Sequence, residues 1–315
     1  MSRCLVCYDE LPEGVVDYHP ACSRKLFGAA APPTLGFDRG SISKLAAEVI
    51  RSQTTLTGVQ PKLSLDIDRG AKGTPDRFTV VGLWGRYILK PQSDKYRHLP
   101  EVEDVTMHLA QLARMEVVPH GLIRMQDGEL SYITQRIDRT NRGQKLPMED
   151  FCQISNRLTE HKYQGSHEQV AKLLGEYSSR PTFDMLRYWE VVLFSWLVGN
   201  ADMHLKNFSL YRPKRGAGYQ LTPAYDLLST KLVLANDNEE LALTLSGKKR
   251  HLRGAHFAKA MQESGIAEKV IENTFSRFHR DSERWFELIQ KSFLPKDMQA
   301  AFQELIAGNL GRLSQ

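Results

Sequence analysis

The feature that most constrains this chain is an apolar helix pattern that ends in a cluster of polar residues. Residues 183–198 carry large apolar side chains at the spacing of a buried helix, and Gly199-Asn200 follows as its end signal. Asp202 then lies five residues before Asn207, and Asp226 comes nineteen residues after that. The pattern therefore predicts two carboxylates and an amide just beyond the end of a buried helix.

These residue types suit phosphoryl transfer. In that reaction one carboxylate accepts or orients the proton of an attacking hydroxyl group. An amide oxygen and a second carboxylate hold Mg²⁺ against the phosphates. The same Asp-x4-Asn spacing also occurs where a helix simply leads into a polar loop. The buried helix before the loop favours catalysis over that interpretation.

A kinase-like fold also needs a glycine-containing loop, a strand lysine and an acidic helix upstream, in that order. Thr54–Lys62 contains the glycine Gly58 and leads into a segment of alternating apolar residues. Three strands and the start of a helix are predicted next, at Leu63–Ile67, Phe78–Val81, Arg86–Lys90 and Leu99 onwards. The order of the parts agrees with a kinase-like fold.

The predicted fold class is α+β, with a small β-rich lobe followed by a mainly helical lobe. We expect an N-terminal extension at 1–52, with helices at Ala21–Phe27 and Ser41–Ser52. An ATP-binding lobe should follow at 53–139 and end in a hinge at 133–139. The catalytic lobe should occupy 140–315. Short strands are predicted at Tyr219–Thr222 and Leu241–Leu245. Amphipathic helices are predicted from His256 to Leu313 with a break at Pro295, and Cys152 is predicted to be a core residue.

Composition excludes several classes of protein. With 41% hydrophobic and 25% charged residues among 315, the chain is ordinary globular material. A net charge of +5 with no diagnostic basic run argues against direct nucleic-acid binding. The densest basic segment, Gly247–Arg253, is either a docking face or a solvated helix start. The longest apolar run, Val191–Val198, is too short to span a membrane, so we expect a cytoplasmic protein without membrane contact.

The N-terminus contains a second cluster of chemically active residues. Cys4, Cys7, His19 and Cys22 have the spacing C-x2-C-x11-H-x2-C, which supplies the four ligands of a tetrahedral Zn²⁺ site. The alternative is three reduced, half-buried thiols next to a helix that begins at His19-Pro20. A thioredoxin-like redox role is disfavoured because no βαβ pattern surrounds the cysteines. Four cysteines in a chain of this length do not indicate a disulfide scaffold.

Taken together, the motifs resemble the HipA-type serine/threonine kinases, which are toxins of bacterial toxin–antitoxin modules. The matching segments lie between about residues 50 and 250. They are Thr57–Lys62, Ile88–Lys90, Pro100–Glu103, Ile133–Arg139, Met148–Gln153, Asn200–Phe208 and Leu221–Ser229. With only about fifty residues before the glycine-containing loop, the chain looks most like the short HipT type.

The resemblance implies a role for each site residue. Asp202 is the catalytic base, and Asn207 and Asp226 are the Mg²⁺ ligands. Lys90 contacts the ATP phosphates with Glu103 as its partner, and the backbone of Gln135 to Ile137 holds the adenine. The remaining nucleotide contacts are Thr57, Gly58, Val59, Gln60, Lys62, Arg136, His204 and Tyr225. Gln135 stands where the family usually has glutamate.

The resemblance also implies regulation within the phosphate loop. The family carries autophosphorylated serines at the positions of Thr55 and, in the HipT type, Thr57. Both positions keep a hydroxyl group here, so we expect one of the two threonines to be phosphorylated. A phosphate there would place negative charge beside those of ATP and oppose nucleotide binding.

The function implied is an ATP- and Mg²⁺-dependent kinase that phosphorylates a protein, with an aminoacyl-tRNA synthetase as the target, and so arrests translation and growth. The implied partners are two antitoxins, a HipB-like DNA-binding protein and a small HipS-like protein that supplies a missing N-terminal subdomain. DNA would be reached only through a partner. Two alternatives stay open from the residues alone, a small-molecule kinase of the aminoglycoside-phosphotransferase type and a silent pseudokinase adaptor.

Overall fold

The computed structural model describes residues 2–42, 45, 62–71, 74–82, 84–234 and 238–315. Thr55, Thr57, Gly58, Val59, Gln60 and most of the predicted helix Ser41–Ser52 lie outside the described residues. The chain divides into two compact units. The first, here called the sheet unit, comprises Met1–Asp104, Val118–Gln144 and Lys291–Phe293. The second, the helical unit, comprises Val105–Val117, Lys145–Gln290 and Leu294–Gln315.

The sheet unit is built on five antiparallel strands. They are β1 (Leu63–Asp68), β2 (Arg77–Val80), β3 (Tyr87–Lys90), β4 (His120–Arg124) and β5 (Leu130–Gln135). Their order across the sheet is β2-β1-β3-β5-β4, with Leu65 opposite both Val80 and Tyr87. The three strands predicted upstream of the acidic helix are confirmed as β1, β2 and β3, each within one residue of its predicted ends.

One face of this sheet shares its core with the N-terminal residues. Leu63, Leu65 and Ile67 alternate inward along β1, as a half-buried strand requires. They join a cluster that includes Cys4, Leu5, Tyr18, Leu26 and Phe27, of which the last two belong to helix α1 (Pro20–Phe27). Gly121 in β4 allows the close approach, because a Cβ there would lie 2.9 Å from Val6 Cγ2 and 3.3 Å from the Leu5 carbonyl oxygen.

Helix α2 (Leu99–Leu112) begins where the sequence predicts it, with Pro100 and Glu101 in its first turn. Proline lacks the N–H that the first turn cannot satisfy within the helix, and acidic residues complement the positive end of the helix dipole. Its residues up to Asp104 belong to the sheet unit.

Within the described residues, the helical unit contains the C-terminal part of α2, seven further α-helices and a three-stranded antiparallel sheet. The helices are α3 (Phe151–Ile154), α4 (His167–Tyr177), α5 (Pro181–Leu197), α6 (Thr230–Val233), α7 (Gly254–Glu263), α8 (Glu268–Lys291) and α9 (Lys296–Leu313). The strands β6 (Met148–Asp150), β7 (Ser209–Tyr211) and β8 (Gln220–Leu221) pair in that order. Trp189, Trp196, Trp285 and Phe257 fill its core.

Most sequence predictions for this unit hold. The helix predicted over 183–198 is α5, the C-terminal helices are α7 to α9, Pro295 caps the start of α9, and Cys152 is buried. The strand predicted at Leu241–Leu245 is wrong. Only two isolated bridges form there, Thr244 with Ser166 and Leu245 with Lys248. The segment is apolar because Leu241, Ala242 and Leu243 are all buried in succession, whereas a half-buried strand would bury every second residue.

The basic segment Gly247–Arg253 forms largely exposed turns that lead into α7, which begins at Gly254. None of the described helices combines the length and the apolar character needed to cross a membrane.

Candidate active site

The sheet unit contains a buried ion pair at the predicted ATP lysine. Lys90 Nζ donates to Glu103 Oε1 at 2.6 Å, and the two side chains are 11% and 1% exposed. Lys90 is the last residue of β3 and Glu103 lies in the second turn of α2. The pairing predicted from the strand–helix order is therefore present in the fold.

The surroundings hold this pair in one geometry. Lys90 lies opposite Tyr132 on β5, and its ammonium group is 5.6 Å from the centre of the Tyr132 ring. Each of these two buried charges faces the other, and deleting one partner of such a pair costs about 3–5 kcal/mol. The contacts that fix the Lys90 ammonium in position therefore also stabilise the sheet unit.

The segment predicted to hold adenine is partly used by the sheet itself. The backbone N–H of Gln135 donates to the Pro119 carbonyl at 2.9 Å, and that of Arg136 donates to the Arg86 carbonyl at 2.8 Å. The side-chain amide of Gln135 donates to the Leu26 carbonyl at 2.6 Å. A backbone N–H contact to adenine would therefore fall to Ile137. Lys62, at the start of β1, is exposed.

In the helical unit, α5 ends in a sharp turn at Gly199, whose φ of +70° lies in the left-handed region that favours glycine. A Cβ there would also lie 2.7 Å from Leu305 Cδ2. The amide of Asn309 on α9 donates to the carbonyls of Trp196 and Leu197 at 2.9 and 3.0 Å, which satisfies the last turn of α5. This end of the helix fixes where the polar loop begins.

Asp202 is held by several hydrogen bonds within the loop. Its backbone N–H donates to Asn200 Oδ1 at 3.1 Å, and its carbonyl accepts from the backbone N–H of His204 at 2.8 Å. Its carboxylate oxygen Oδ1 accepts a 2.6 Å hydrogen bond from the hydroxyl of Tyr163. Burial and this contact together raise the pKa of Tyr163, so the phenol stays protonated and continues to donate.

Asn207 is oriented by the same carbonyl. Its side-chain N–H group donates to the Asp202 carbonyl at 2.9 Å, which turns the amide oxygen the other way as an acceptor for a cation. Asp226 has a φ of +56°, a left-handed conformation that is uncommon outside glycine and that aspartate tolerates better than most residues. Beside it, the Tyr225 hydroxyl contacts Ser209 Oγ at 2.6 Å and donates to the Lys206 carbonyl at 3.1 Å.

His204 lies within the same group of residues. Burial lowers its pKa, and the nearby Asp202 carboxylate acts in the opposite direction without overcoming that effect. Asp226 is a further charge close enough to influence it. The imidazole is therefore mainly neutral near pH 7, and its ring packs edge-on against Tyr163 at 5.1 Å.

The donor set fits Mg²⁺, because hard divalent cations take oxygen ligands from carboxylates and amides. Asp226 and Asn207 supply both types, and the hydrogen bond from Asn207 to the Asp202 carbonyl already directs its amide oxygen. Asn207 and Asp226 therefore offer oxygen donors of the kind that would hold a divalent cation, and Asp202 offers a carboxylate close to Asn207 in the chain.

Three contributors escaped the sequence analysis. Tyr163 contacts Asp202 from thirty-nine residues upstream, Lys206 pairs with Asp150 at 2.7 Å, and Asn309 caps α5 from the C-terminal helix. Each acts through a contact distant in sequence, and although Lys206 and Asp150 lie within matching segments, nothing in those segments indicates that the two residues pair. Among these residues and their partners, only Asp150 carries a local sequence signal. It is the N-cap residue of α3, and Gln153 completes its capping box.

The second predicted cluster is also brought together. One ligand atom each from Cys4, Cys7, His19 and Cys22 lie within 4.8 Å of one another, all in the sheet unit.

The whole chain can be compared with known proteins. A family model described as the HipA-like C-terminal domain matches residues 54–286. Among curated relatives, "Putative kinase Y4dM" of Sinorhizobium fredii is 32% identical over 278 residues, which cover 84% of this chain and 64% of that protein. The serine/threonine-protein kinase toxin HipA of Shewanella oneidensis is 26% identical, covering 73% of this chain and 56% of that protein.

A solved structure extends the likeness to the fold. HipA of Shewanella oneidensis, in complex with HipB and its operator DNA, superposes with a TM-score of 0.66 at 23% sequence identity. The match covers 82% of this chain and 64% of that one. The fold is therefore of the HipA type, with a β-rich unit and a helical unit. The chain spans less than two thirds of the length of these relatives.

Proposed function

The chain belongs to the family of HipA-like C-terminal domains, and from this premise we propose that it is a protein kinase that transfers the γ-phosphoryl group of ATP to a serine or threonine hydroxyl. The observation that carries the proposal is the hydrogen-bonded loop of Asp202 and Asn207. The side-chain N–H of Asn207 on the Asp202 carbonyl joins the proposed base and a proposed metal ligand in one unit.

In this proposal Asp202 accepts the proton of the substrate hydroxyl as that oxygen attacks. The Tyr163 hydroxyl on Oδ1 fixes the rotation of the carboxylate, which leaves Oδ2 as the oxygen that takes the proton. Asn207 and Asp226 would hold a bound Mg²⁺, and that ion would neutralise negative charge on the phosphates. Because the His204 imidazole is mainly neutral, it can donate a hydrogen bond to a phosphate oxygen without adding a fixed charge.

Lys90 binds the ATP phosphates in the same proposal. Its ammonium is a compact point charge with three donors, one of which goes to Glu103. We assign the adenine contact within Gln135 to Ile137 to Ile137, because the other two N–H groups are used in the sheet. Thr57, Gly58, Val59, Gln60 and Lys62 complete the proposed phosphate contacts.

We extend the proposal to a toxin whose protein target is an aminoacyl-tRNA synthetase, so that phosphorylation arrests translation and growth in the cytoplasm. The support is the family, the toxin kinase among its relatives and the HipB–operator complex of the solved relative. The proposed partners are a HipB-like DNA-binding antitoxin and a small HipS-like protein. Autophosphorylation of Thr55 or Thr57 is proposed to oppose ATP binding.

The test is incubation of the purified chain, and of an Asp202→Asn variant, with labelled ATP and a cell lysate. Label in one protein band with the wild-type chain alone supports a protein kinase. Label in a small solute would replace the proposal with a small-molecule kinase, and no label in any fraction would favour a silent adaptor. Intact-mass spectrometry of the same two preparations reports the regulation, since we expect a loop phosphate on the wild-type chain and none on the variant.

A further inference from the structure

The Cys/His cluster has the dimensions of a metal site. The sulfur atoms of Cys4, Cys7 and Cys22 and a ring nitrogen of His19 all lie within 4.8 Å of one another. With Zn–S bonds of about 2.3 Å and Zn–N bonds of about 2.0–2.1 Å, a tetrahedral site has S–S edges of about 3.8 Å and S–N edges of about 3.6 Å. The edge from Cys7 Sγ to His19 Nδ1 is 3.4 Å. We propose that these four side chains bind one structural Zn²⁺ ion.

The orientation of His19 supports the assignment. Its Nε2 lies 3.1 Å from the Glu10 carbonyl oxygen, which can only accept, so Nε2 carries the proton. Nδ1 is then the atom with a free lone pair, and it is the atom that faces Cys7. Metal-bound histidines are usually fixed in this way, with the second nitrogen donating to a carbonyl or carboxylate.

The backbone around Cys4 presents the sulfur atoms to a common point. A tight turn closes with the Tyr8 N–H on the Cys4 carbonyl at 3.0 Å, and Tyr8 takes a left-handed φ of +66°. The N–H of His19 donates to Cys4 Sγ at 3.5 Å, as suits a sulfur that carries negative charge. Cys22 comes from the first turn of α1.

Cys152 provides an internal contrast. It belongs to the helical unit, and its sulfur contacts the carbonyls of Arg157 and Leu158 at 3.3 and 3.2 Å, which is the behaviour of a protonated thiol. All four cysteines are free of disulfides. The chain therefore holds three sulfurs arranged around an imidazole and one arranged as a buried thiol.

The cluster is joined to the sheet that carries Lys90. The Leu5 carbonyl accepts from the N–H of Leu122 on β4 at 2.9 Å, and the Tyr18 hydroxyl donates to the Leu122 carbonyl at 2.8 Å. The Tyr8 hydroxyl, at the end of the cysteine turn, donates to Asp104 Oδ2 at 2.6 Å. Asp104 directly follows Glu103 on α2. A metal that fixes the turn would thus also fix the start of α2 and the edge of the sheet.

Metal analysis of the full chain, purified without chelating resin, tests the site directly. We expect close to one zinc per chain in the wild type, in the Cys152→Ser control and in His19→Cys, which keeps four ligands. Cys22→Ser should lose most of the zinc. Cobalt(II) added to metal-stripped protein should give the visible bands of a tetrahedral thiolate site in the first three proteins and weak bands in Cys22→Ser.

Hydrogen exchange measured on wild-type protein with and without its metal supplies a readout independent of any activity. Removal of zinc should lower the protection of amides in β4 and the first turns of α2 at least tenfold, and leave α5 unchanged. The proposal is overturned if the wild type carries no zinc, if it carries iron instead, or if a disulfide joins two of the three cysteines. Unchanged exchange on metal removal would overturn the structural role of the ion.

Discussion

The two units place their candidate functional groups in opposite environments. In the sheet unit, Lys90 and Glu103 are buried, charged and paired with each other between a strand end and a helix. In the helical unit, Asp202 and Asn207 lie on a half-buried loop, where backbone groups and one hydroxyl hold them. The first arrangement makes function depend on the same contacts that stabilise the fold. In the second arrangement function and stability can be separated, because replacing the loop carboxylate with a neutral amide leaves no buried charge unpaired.

The sharpest consequence concerns Asp202. We expect Asp202→Asn to lower phosphoryl transfer about 10²–10⁴-fold, since the base is lost while the size of the side chain is kept. The thermal melting temperature should stay near that of the wild type. Glu304→Gln, an exposed charge-to-amide change on α9, is the matched control and should alter neither quantity. Wild-type activity in a well-folded Asp202→Asn protein would remove this residue from the mechanism.

The opposite outcome is expected in the sheet unit. Lys90→Met should weaken ATP binding and also cost about 3–5 kcal/mol of unfolding free energy, because the buried Glu103 carboxylate loses the ammonium group that lies 2.6 Å from it. Chemical unfolding measures this cost, with the exposed Lys25→Met as control.

A double variant separates the two effects. Lys90→Met with Glu103→Leu should recover most of the lost stability, because neither charge of this pair remains, and should recover none of the ATP binding. If the double variant binds ATP as the wild type does, Lys90 stabilises the sheet unit and has no role on phosphate.

These contrasts also explain what the sequence could predict. The loop of Asp202 and Asn207 could be predicted as a candidate site because both residues lie within ten positions after the end of α5, and the apolar spacing of that helix is regular. The strands β1 to β3 and helix α2 were found from alternation and from Pro100 at the helix start. Tyr163 and Asn309 were not, because their partners are tens of residues or more away and nothing local marks them. The strand prediction for Leu241–Leu245 is wrong because a short apolar segment that is buried on all sides has the same composition as a strand.

A third prediction tests the core beneath the loop, where the helical unit buries an ionisable group in neutral form. His167 is fully buried against the Tyr188 hydroxyl at 2.7 Å, and burial lowers its pKa to about 3. In the unfolded chain the pKa is about 6.5, so below that pH only the unfolded state takes up the proton. Stability from this residue is thus present above about pH 6.5 and lost as the pH falls toward 3.

The expected size is about 2 kcal/mol between pH 7 and pH 5, from about 1.4 kcal/mol per pH unit below the unfolded pKa. The drop in unfolding free energy from pH 7 to pH 5 should therefore be about 2 kcal/mol smaller in His167→Gln than in the wild type. The exposed His279→Gln should keep the wild-type difference. Equal pH dependence in all three proteins would mean that His167 is protonated in the folded state.

The smallest expected effect concerns the hydroxyl on Asp202. Tyr163 is 43% exposed, so its hydrogen bond contributes little to stability, but it fixes the rotation of the proposed base. Tyr163→Phe should lower kcat about three- to tenfold, the equivalent of about 1 kcal/mol for one hydrogen bond, with KM for ATP and the melting temperature unchanged. Tyr177→Phe, which removes an equally exposed hydroxyl from α4, should have no effect. A faster Tyr163→Phe enzyme would show instead that the phenol competes with the substrate hydroxyl for Asp202. The Tyr163 hydrogen bond would then have to break before Asp202 accepts the substrate proton, whereas the Lys90–Glu103 pair stays formed while Lys90 acts.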